Sequence, residues 1–246
     1  MSAHASATEA RQLAWEFPLP ERFSAEDWLE TPSNHEATRW IHHWPEWKGR
    51  ALFLAGPAAS GKTHLAHIWR TLLPVPAPRV TEVEDFLALA PYFTRPDMPF
   101  LVIDGLERWA EHSDWRAVCQ ELFHLLNRLT TAESCALLIT GTDAPSRMAW
   151  PFADIASRMN ALPVASLHPV DEGGLEAMIF KYFHDRQLRV GADVIRFLSR
   201  HAERSYESLR RVVARVDREA MERRKPVTVP LVREVLQRVQ LFEAAE

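Results

Sequence analysis

From residue 50 onward, short and nearly continuous apolar runs alternate with longer stretches whose apolar positions recur every three or four residues. The short runs predict strands buried on both faces, and the periodic stretches predict amphipathic helices. The strands are "RALFLAG", "RVTEV", "FLVIDG", "CALLIT" and "LPVASL". Between them lie the helices "GKTHLAHIWRTLL", "VEDFLALA", "DWRAVCQELFHLLNRLTT" and "WPFADIASRMN", the last opened by Pro151. In the longest of these, Val118, Leu122, Leu125, Leu126 and Leu129 share one side. Ahead of the first strand, Ala37, Trp40, Ile41 and Trp44 stand at helical spacing, with Ser33 or Asn34 as N-cap and Pro45 as the stop. Such alternation predicts an α/β fold, a five-stranded parallel sheet wrapped by helices on both faces. After about residue 168 the strand signals end, and 171–187, 191–202, 205–223 and 228–241 all read as helices. The chain thus divides into a flexible tail (1–30), an α/β base (31–167) and an all-helical unit (168–246), with the break at "HPVDEGG".

Composition changes this picture little. At 246 residues, 47% hydrophobic and 25% charged, the chain is long enough to bury a real core. It has no apolar run of about 18 residues and no basic flank leading into an apolar N-terminal stretch, so neither a membrane span nor a secretory signal is expected, and the cytoplasm is the expected location. A net charge of -4 argues against a protein that coats polyanions, although the Arg-rich C-terminal third leaves a local basic face open. Cys119 and Cys135 lie too far apart for a short metal or redox motif and read as reduced, half-buried thiols without chemistry.

The strongest chemical signal is "GPAASGKT", which fits G-x-x-x-x-G-K-[ST] in full: Gly56, Pro57, Ala58, Ala59, Ser60, Gly61, Lys62 and Thr63. A strand precedes it and a helix follows, as the motif requires. Gly56 and Gly61 let the backbone curl so that successive N–H groups face phosphate oxygens, and the helix adds its positive dipole end. Lys62 brings a charge to the β- and γ-phosphates, while the Thr63 hydroxyl is a ligand for Mg²⁺. The carboxylate that holds the Mg²⁺ hydration shell should end a neighbouring apolar strand, and "FLVID" puts Asp104 there. The following position, where ATPases of this architecture carry a second acid to polarise the attacking water, is Gly105. Glu107 either leans back into the site or faces a solvated turn, the latter being favoured. Weak intrinsic ATP hydrolysis is therefore expected. His64 and His67, at i and i+3, lack a third ligand and carry no metal site.

These motifs are similar to those of the AAA+ ATPases, and within them the DnaA-like group. "GPAASGKTHLAH" resembles the DnaA-type phosphate loop, "LVIDGLE" its Walker B strand, "ALLITGTDAP" its sensor I strand and loop, and "PFADIASRMN" the segment carrying the arginine finger. The resemblance spans about 31–241 and is strongest to the Hda (HdaA) family, DnaA homologues that inactivate DnaA; it implies no helix-turn-helix unit for origin DNA after the last helices. It implies ADP or ATP with Mg²⁺ as cofactors, and Thr140 as the sensor I residue, with Thr142 and Asp143 as alternatives. Taken alone, Arg158 reads as a surface arginine in an ordinary salt bridge; the motif implies a finger that enters the active site of DnaA, and a homo-oligomer is left open as a separate partner. In other phosphoryl-transfer systems such a finger contributes on the order of 10³–10⁵ in rate. The third lid helix departs from the pattern: "SYESL" puts Glu207 where the family's sensor II arginine falls, and Arg210 or Arg211 stands a turn away.

The resemblance also gives a reading of the tail. "QLAWEF" is similar to the short peptide by which Hda-type proteins bind the DNA polymerase sliding clamp, with Leu13, Trp15 and Phe17 filling apolar pockets and Gln12 fixing register. The alternative is a brace packed on the protein's own core. The implied function is negative regulation of replication initiation, by promoting ATP hydrolysis in DnaA. Two other readings stand beside it: a DnaA-like helicase-loading or remodelling ATPase, and a DNA-binding DnaA paralogue; the lid arginines at 210–211 and 222–225 read first as solvated helix faces, with clamp-associated DNA contact left open.

Overall fold

The computed structural model describes residues 25–75, 77–93, 100–130, 135–203 and 206–243. The base contains β1 (Ala51–Ala55), β2 (Arg79–Val80), β3 (Leu101–Ile103), β4 (Leu137–Gly141) and β5 (Val164–Ser166), all parallel, in the order β2-β3-β4-β1-β5. Its helices are α1 (His35–His42), α2 (Lys62–Thr71), α3 (Val83–Leu89), α4 (Trp115–Leu129) and α5 (Ala153–Asn160). The lid follows as α6 (Glu172–Asp185), α7 (Ala192–His201), α8 (Tyr206–Arg223) and α9 (Val229–Glu243).

Period-two geometry explains why the strands carry no polar alternation: both faces are covered. Ala51, Phe53 and Ala55 of β1 join Leu122, Leu125 and Leu129 of α4 and Ile155 and Met159 of α5 in one core. Leu52 and Leu54 point the other way, into a core with Ile41 of α1 and Leu65, Ile68 and Trp69 of α2. Trp47 stacks on Trp69 at 5.1 Å between ring centres, and Trp44 and Phe100 meet Trp69 edge-on. A third core lies within the lid, around Leu175, Phe183, Leu198, Val213 and Val232. Outside it, Arg223 and Arg238 bridge Glu219 of α8 and Glu234 of α9 at 2.6–3.0 Å.

Several local expectations shift. Asn34 precedes α1 but does not cap it with its side chain; its Oδ1 accepts from Thr31 N at 2.8 Å. α5 starts at Ala153 rather than at Pro151, because Trp150 precedes a proline and Phe152 is extended (φ -154°) and packed on the core. β2 stops at Val80, three residues early, since it is an edge strand paired with β3 alone and α3 begins at Val83. Both cysteines are fully buried rather than half-buried, and burial pushes the Cys119 thiol up to about 12 and raises that of Cys135. Residues 25–30, counted with the tail on sequence, form a 3-10 turn followed by Trp28 and Leu29, which pack on the base and the lid respectively. Among the described residues no helix is long and apolar enough to cross a membrane.

Candidate nucleotide site

β1 feeds α2 through the loop 56–61, at the end of the sheet where parallel strands deliver their carboxyl termini. Two loop residues adopt left-handed backbone, Ala59 (φ 57°) and Gly61 (φ 97°). Gly56 is required by space: a Cβ there would lie 2.8 Å from Ser60 Oγ and 2.9 Å from the Leu167 backbone oxygen. Pro57, Ala58 and Ala59 are exposed, whereas Ser60 is buried and its Oγ has no hydrogen-bond partner among the described residues. α2 carries no acidic residue in its own first turn, and the carboxylate nearest its positive dipole end is Asp104, which accepts from Thr63.

Lys62 Nζ donates to the carbonyls of Gly56 (2.7 Å) and Pro57 (2.8 Å), folding over the loop. Burial lowers the Lys62 ammonium below the ordinary lysine range, against the raising pull of Glu107 and then Asp104. Thr63 Oγ1 donates to the Asp104 carboxylate at 3.0 and 3.2 Å, and Thr140 Oγ1 donates to Asp104 Oδ1 at 2.7 Å while accepting from Gly105 N at 2.9 Å. The β3–β4 pairing of Ile103 with Ile139 puts Asp104 and Thr140 side by side. Of the three sensor I alternatives, only Thr140 is bonded to Asp104; Asp143 pairs with Arg147 at 3.5 Å. Arg79, at the start of β2, brings its Nε to 3.6 Å from Asp104 Oδ2.

The residues present fit both cofactors. A hydroxyl and a carboxylate oxygen about 3 Å apart are the hard oxygen donors by which Mg²⁺ is held when substrate phosphates and water complete its shell. The orphaned Ser60 hydroxyl, the left-handed backbone at 59 and 61 and the N-terminus of α2 suit a phosphate chain.

Gly105 has φ 82°, and a Cβ on it would come within 2.7 Å of Arg108 Nε, while Arg108 donates to the Asp104 carbonyl at 2.9 Å. A side chain at the position after Asp104 would have to adopt left-handed backbone and displace the Arg108 guanidinium. Glu107 follows in the 3-10 turn Leu106–Trp109, and its Oε2 is buried without a hydrogen-bond partner among the described residues. The expectation of a solvated Glu107 does not hold for this atom.

The lid reaches the loop through aromatics. Trp28 lies 2.8 Å from where a Gly61 Cβ would be, stacks on Tyr206 of α8 at 5.6 Å with planes 10° apart, and meets His64 edge-on at 5.1 Å. Asn34 Nδ2 donates to Tyr206 Oη at 3.0 Å, Trp28 Nε1 donates to Thr38 Oγ1 at 3.1 Å, and Tyr182 Oη donates to the Tyr206 carbonyl at 3.5 Å. Burial raises the Tyr206 phenol, with the Asn34 and Thr31 hydrogen bonds opposing. Arg210 lies close enough to Tyr182 and Arg186 to act on their charge states, and Arg211 is exposed. The Glu207 side chain, like Gln12, Leu13, Trp15 and Phe17 of the tail, falls outside the described residues.

Arg158 occupies the last turn of α5, exposed at the flank of the face that buries Ile155 and Met159. It makes no ion pair among the described residues, whereas the surface reading gave it one. His67 approaches Arg79 at 3.0 Å rather than a third metal ligand, and no cluster of three or more His, Cys, Asp or Glu side chains occurs among the described residues. Sequence reasoning missed Arg79, Trp28 and Tyr206. For Trp28 there was a signal: "DWLE" puts a tryptophan and a leucine together just before the first core helix.

A phosphate loop on a five-stranded parallel sheet, followed by four helices, is a fold shared with solved structures of known proteins. The chain is similar to domain III of the Thermotoga maritima replication initiation protein DnaA, with a TM-score of 0.73 at 20% identity over 90% of this chain and 98% of that one. AMPPCP-bound DnaA from Aquifex aeolicus gives 0.66 at 15% identity, over 85% and 71%. A RuvB variant from Thermotoga maritima gives 0.59 at 16%, over 76% and 61%. Residues 171–236 match the family described as Hda, lid domain.

Proposed function

We propose that this protein binds ADP or ATP with Mg²⁺ and acts as a negative regulator of replication initiation, docking on the sliding clamp through residues 12–17 and promoting ATP hydrolysis by DnaA with Arg158. The observation that carries this reading is the pairing of a complete phosphate and cation site, Lys62 and Thr63–Asp104–Thr140, with a left-handed Gly105 where a second acid would stand. Such a site holds a nucleotide better than it turns one over. The match of 171–236 to the Hda lid domain supports the same family of function. Arg158, exposed at the end of a helix that Ile155 and Met159 lock into the core, is available to a neighbouring molecule.

The residues divide the work as follows. Lys62 sets a positive charge at the loop mouth; Thr63 and Asp104 would hold Mg²⁺, partly through water; Thr140 fixes the Asp104 carboxylate and the Gly105 amide together. When bound, Mg²⁺ supplies charge neutralisation to the phosphates. Arg158 adds its guanidinium to the phosphoryl group held by DnaA, where charge spreads over the oxygens in the transition state. Replacing Arg158 with Ala should leave ADP binding and clamp binding intact and reduce stimulation of DnaA hydrolysis on the order of 10³-fold. Full stimulation by the variant, measured as phosphate release, sinks the finger assignment.

The second reading, a helicase-loading or remodelling ATPase, is favoured by one observation, the inward Glu107 carboxylate. Rapid basal turnover abolished by Lys62→Ala, with no effect on DnaA, would select it.

A further inference from the structure

β2 is short, yet its first residue is firmly placed. Val80 pairs with Ile103, and Asp104 N donates to the Val80 carbonyl at 3.0 Å, so the strand that ends in Asp104 runs directly beside Arg79. On the other side, Arg70 Nε donates to the Ala77 carbonyl at 2.8 Å and holds the chain that enters β2. Thr63, His67 and Arg70 follow one another up a single face of α2, and each meets this edge of the sheet: Thr63 at Asp104, His67 at Arg79, Arg70 at Ala77.

The Arg79 guanidinium is held from two sides. Its Nη1 lies 3.0 Å from His67 Nε2, and since arginine has no acceptor, the ring nitrogen accepts. Its Nε faces Asp104 Oδ2 at 3.6 Å, with the Arg79 side chain 32% and the Asp104 side chain 9% exposed. An ionised carboxylate offers about four lone-pair sites. Here Oδ1 accepts from Thr140 and Thr63, while Oδ2 accepts from Thr63 and faces Arg79. Turning the Thr63 hydroxyl to a metal ion frees one site on each oxygen and leaves the Arg79 side of Oδ2 untouched. A fixed positive charge therefore stands beside the carboxylate that a divalent cation uses. It repels that cation and attracts phosphate.

We propose that Arg79 is a resident cation of the nucleotide site, supplying part of the positive charge that Mg²⁺ would otherwise provide, so that the protein keeps a nucleoside diphosphate when the divalent ion is withdrawn. The inference rests on the nucleotide site described above. Arg79 acts through Asp104 and through its field at the phosphates, which makes it a positioning residue. His67 fixes the direction of the guanidinium, and β2 fixes its distance from the loop.

The test uses the full chain and compares wild type, Arg79→Gln, Arg79→Lys and Lys62→Ala for binding of a fluorescent ADP analogue, in Mg²⁺ and in excess EDTA. Wild type should lose only about three-fold in affinity when Mg²⁺ is removed, because the diphosphate still faces Lys62 and Arg79. The loss in Arg79→Gln should be about ten times larger, the effect of one partly screened charge, and Arg79→Lys should fall between, keeping the charge without the fork that joins His67 to Asp104. Mn²⁺, titrated into the ADP-loaded protein and followed by electron paramagnetic resonance, should bind Arg79→Gln about ten-fold more tightly than wild type, a change that a merely structural arginine would not produce. The same EDTA-to-Mg²⁺ ratio in wild type and Arg79→Gln overturns the proposal, as does unchanged Mn²⁺ affinity. Wild-type protein that releases ADP completely in EDTA overturns it too, and that arm needs no variant to fold. If wild type in Mg²⁺ binds ADP no better than Lys62→Ala, the nucleotide-site reading fails and this inference with it; a clear Lys62 effect without an Arg79 effect sinks this inference alone.

Discussion

Two neighbouring residues, Asp104 and Gly105, decide what the site can do. Asp104 is 6% exposed and its carboxylate is engaged by two hydroxyls and approached by Arg79, so its orientation is set before any ligand arrives. Gly105 turns the chain immediately afterwards in a conformation that costs an L-residue about 1–2 kcal/mol, with Arg108 packed where a side chain would go. Reinstating the family's second acid is thus not a gain of function. Gly105→Glu should lower the unfolding free energy by about 1–2 kcal/mol and leave ATP turnover no higher, while Gly105→Asn should cost less, because Asn tolerates left-handed backbone. Denaturant titration with a turnover assay checks both. The absent acid was legible in "LVIDGLE"; the reason for it was not, because the closeness of Arg108 depends on how the 3-10 turn folds. Arg79 escaped notice for a similar reason: it enters the site only through the pairing of β2 with β3.

α2 shows how an element carries more than its motif. Its first turn belongs to the phosphate loop, and its inner side, Leu65, Ile68 and Trp69, locks it to the sheet. His67 sits between these duties. Burial first, then Arg70, Arg79 and His64, hold its imidazole below the usual histidine value of 6.5, with Asp104 pulling the other way. A base whose folded pKa is lowered takes up its proton later than it does in the unfolded chain. Between the folded value and 6.5 the unfolded state binds more protons, so stability falls as pH drops through that window. His67→Gln should therefore lose less stability than wild type on going from pH 7.5 to pH 5, as read by chemical denaturation at both. Equal losses would show that His67 does not carry this dependence. Elements such as α2 and α4 were legible because their apolar positions repeat cleanly. The shorter α5 and β2 were misjudged at their ends, where Phe152 turning inward and an edge strand's single partner outweigh local pattern.

At the scale of the molecule, base and lid meet over the loop through Trp28 and Tyr206, with Asn34 tied to both the Tyr206 hydroxyl and the backbone of residues 29 and 31. No motif announces this joint, since its partners lie 178 positions apart, from 28 to 206. Stacked aromatic pairs couple by about 0.5–1.5 kcal/mol beyond their buried area. A double-mutant cycle of Trp28→Ala and Tyr206→Ala should return a coupling in that range, and strict additivity would mean that the stack contributes nothing beyond burial.

Because Trp28 is held against Gly61, the chain ahead of it is tethered at a known point on the phosphate loop. Phe17 and Trp28 are eleven steps apart along the chain, with ten residues between them, and whatever path these take they span at most about 36–40 Å. A ring-shaped partner grasping residues 12–17 would then be leashed within that radius of the nucleotide. Any third molecule brought to the same partner would meet this protein at an effective concentration set by the length of the leash, not by its abundance in the cell.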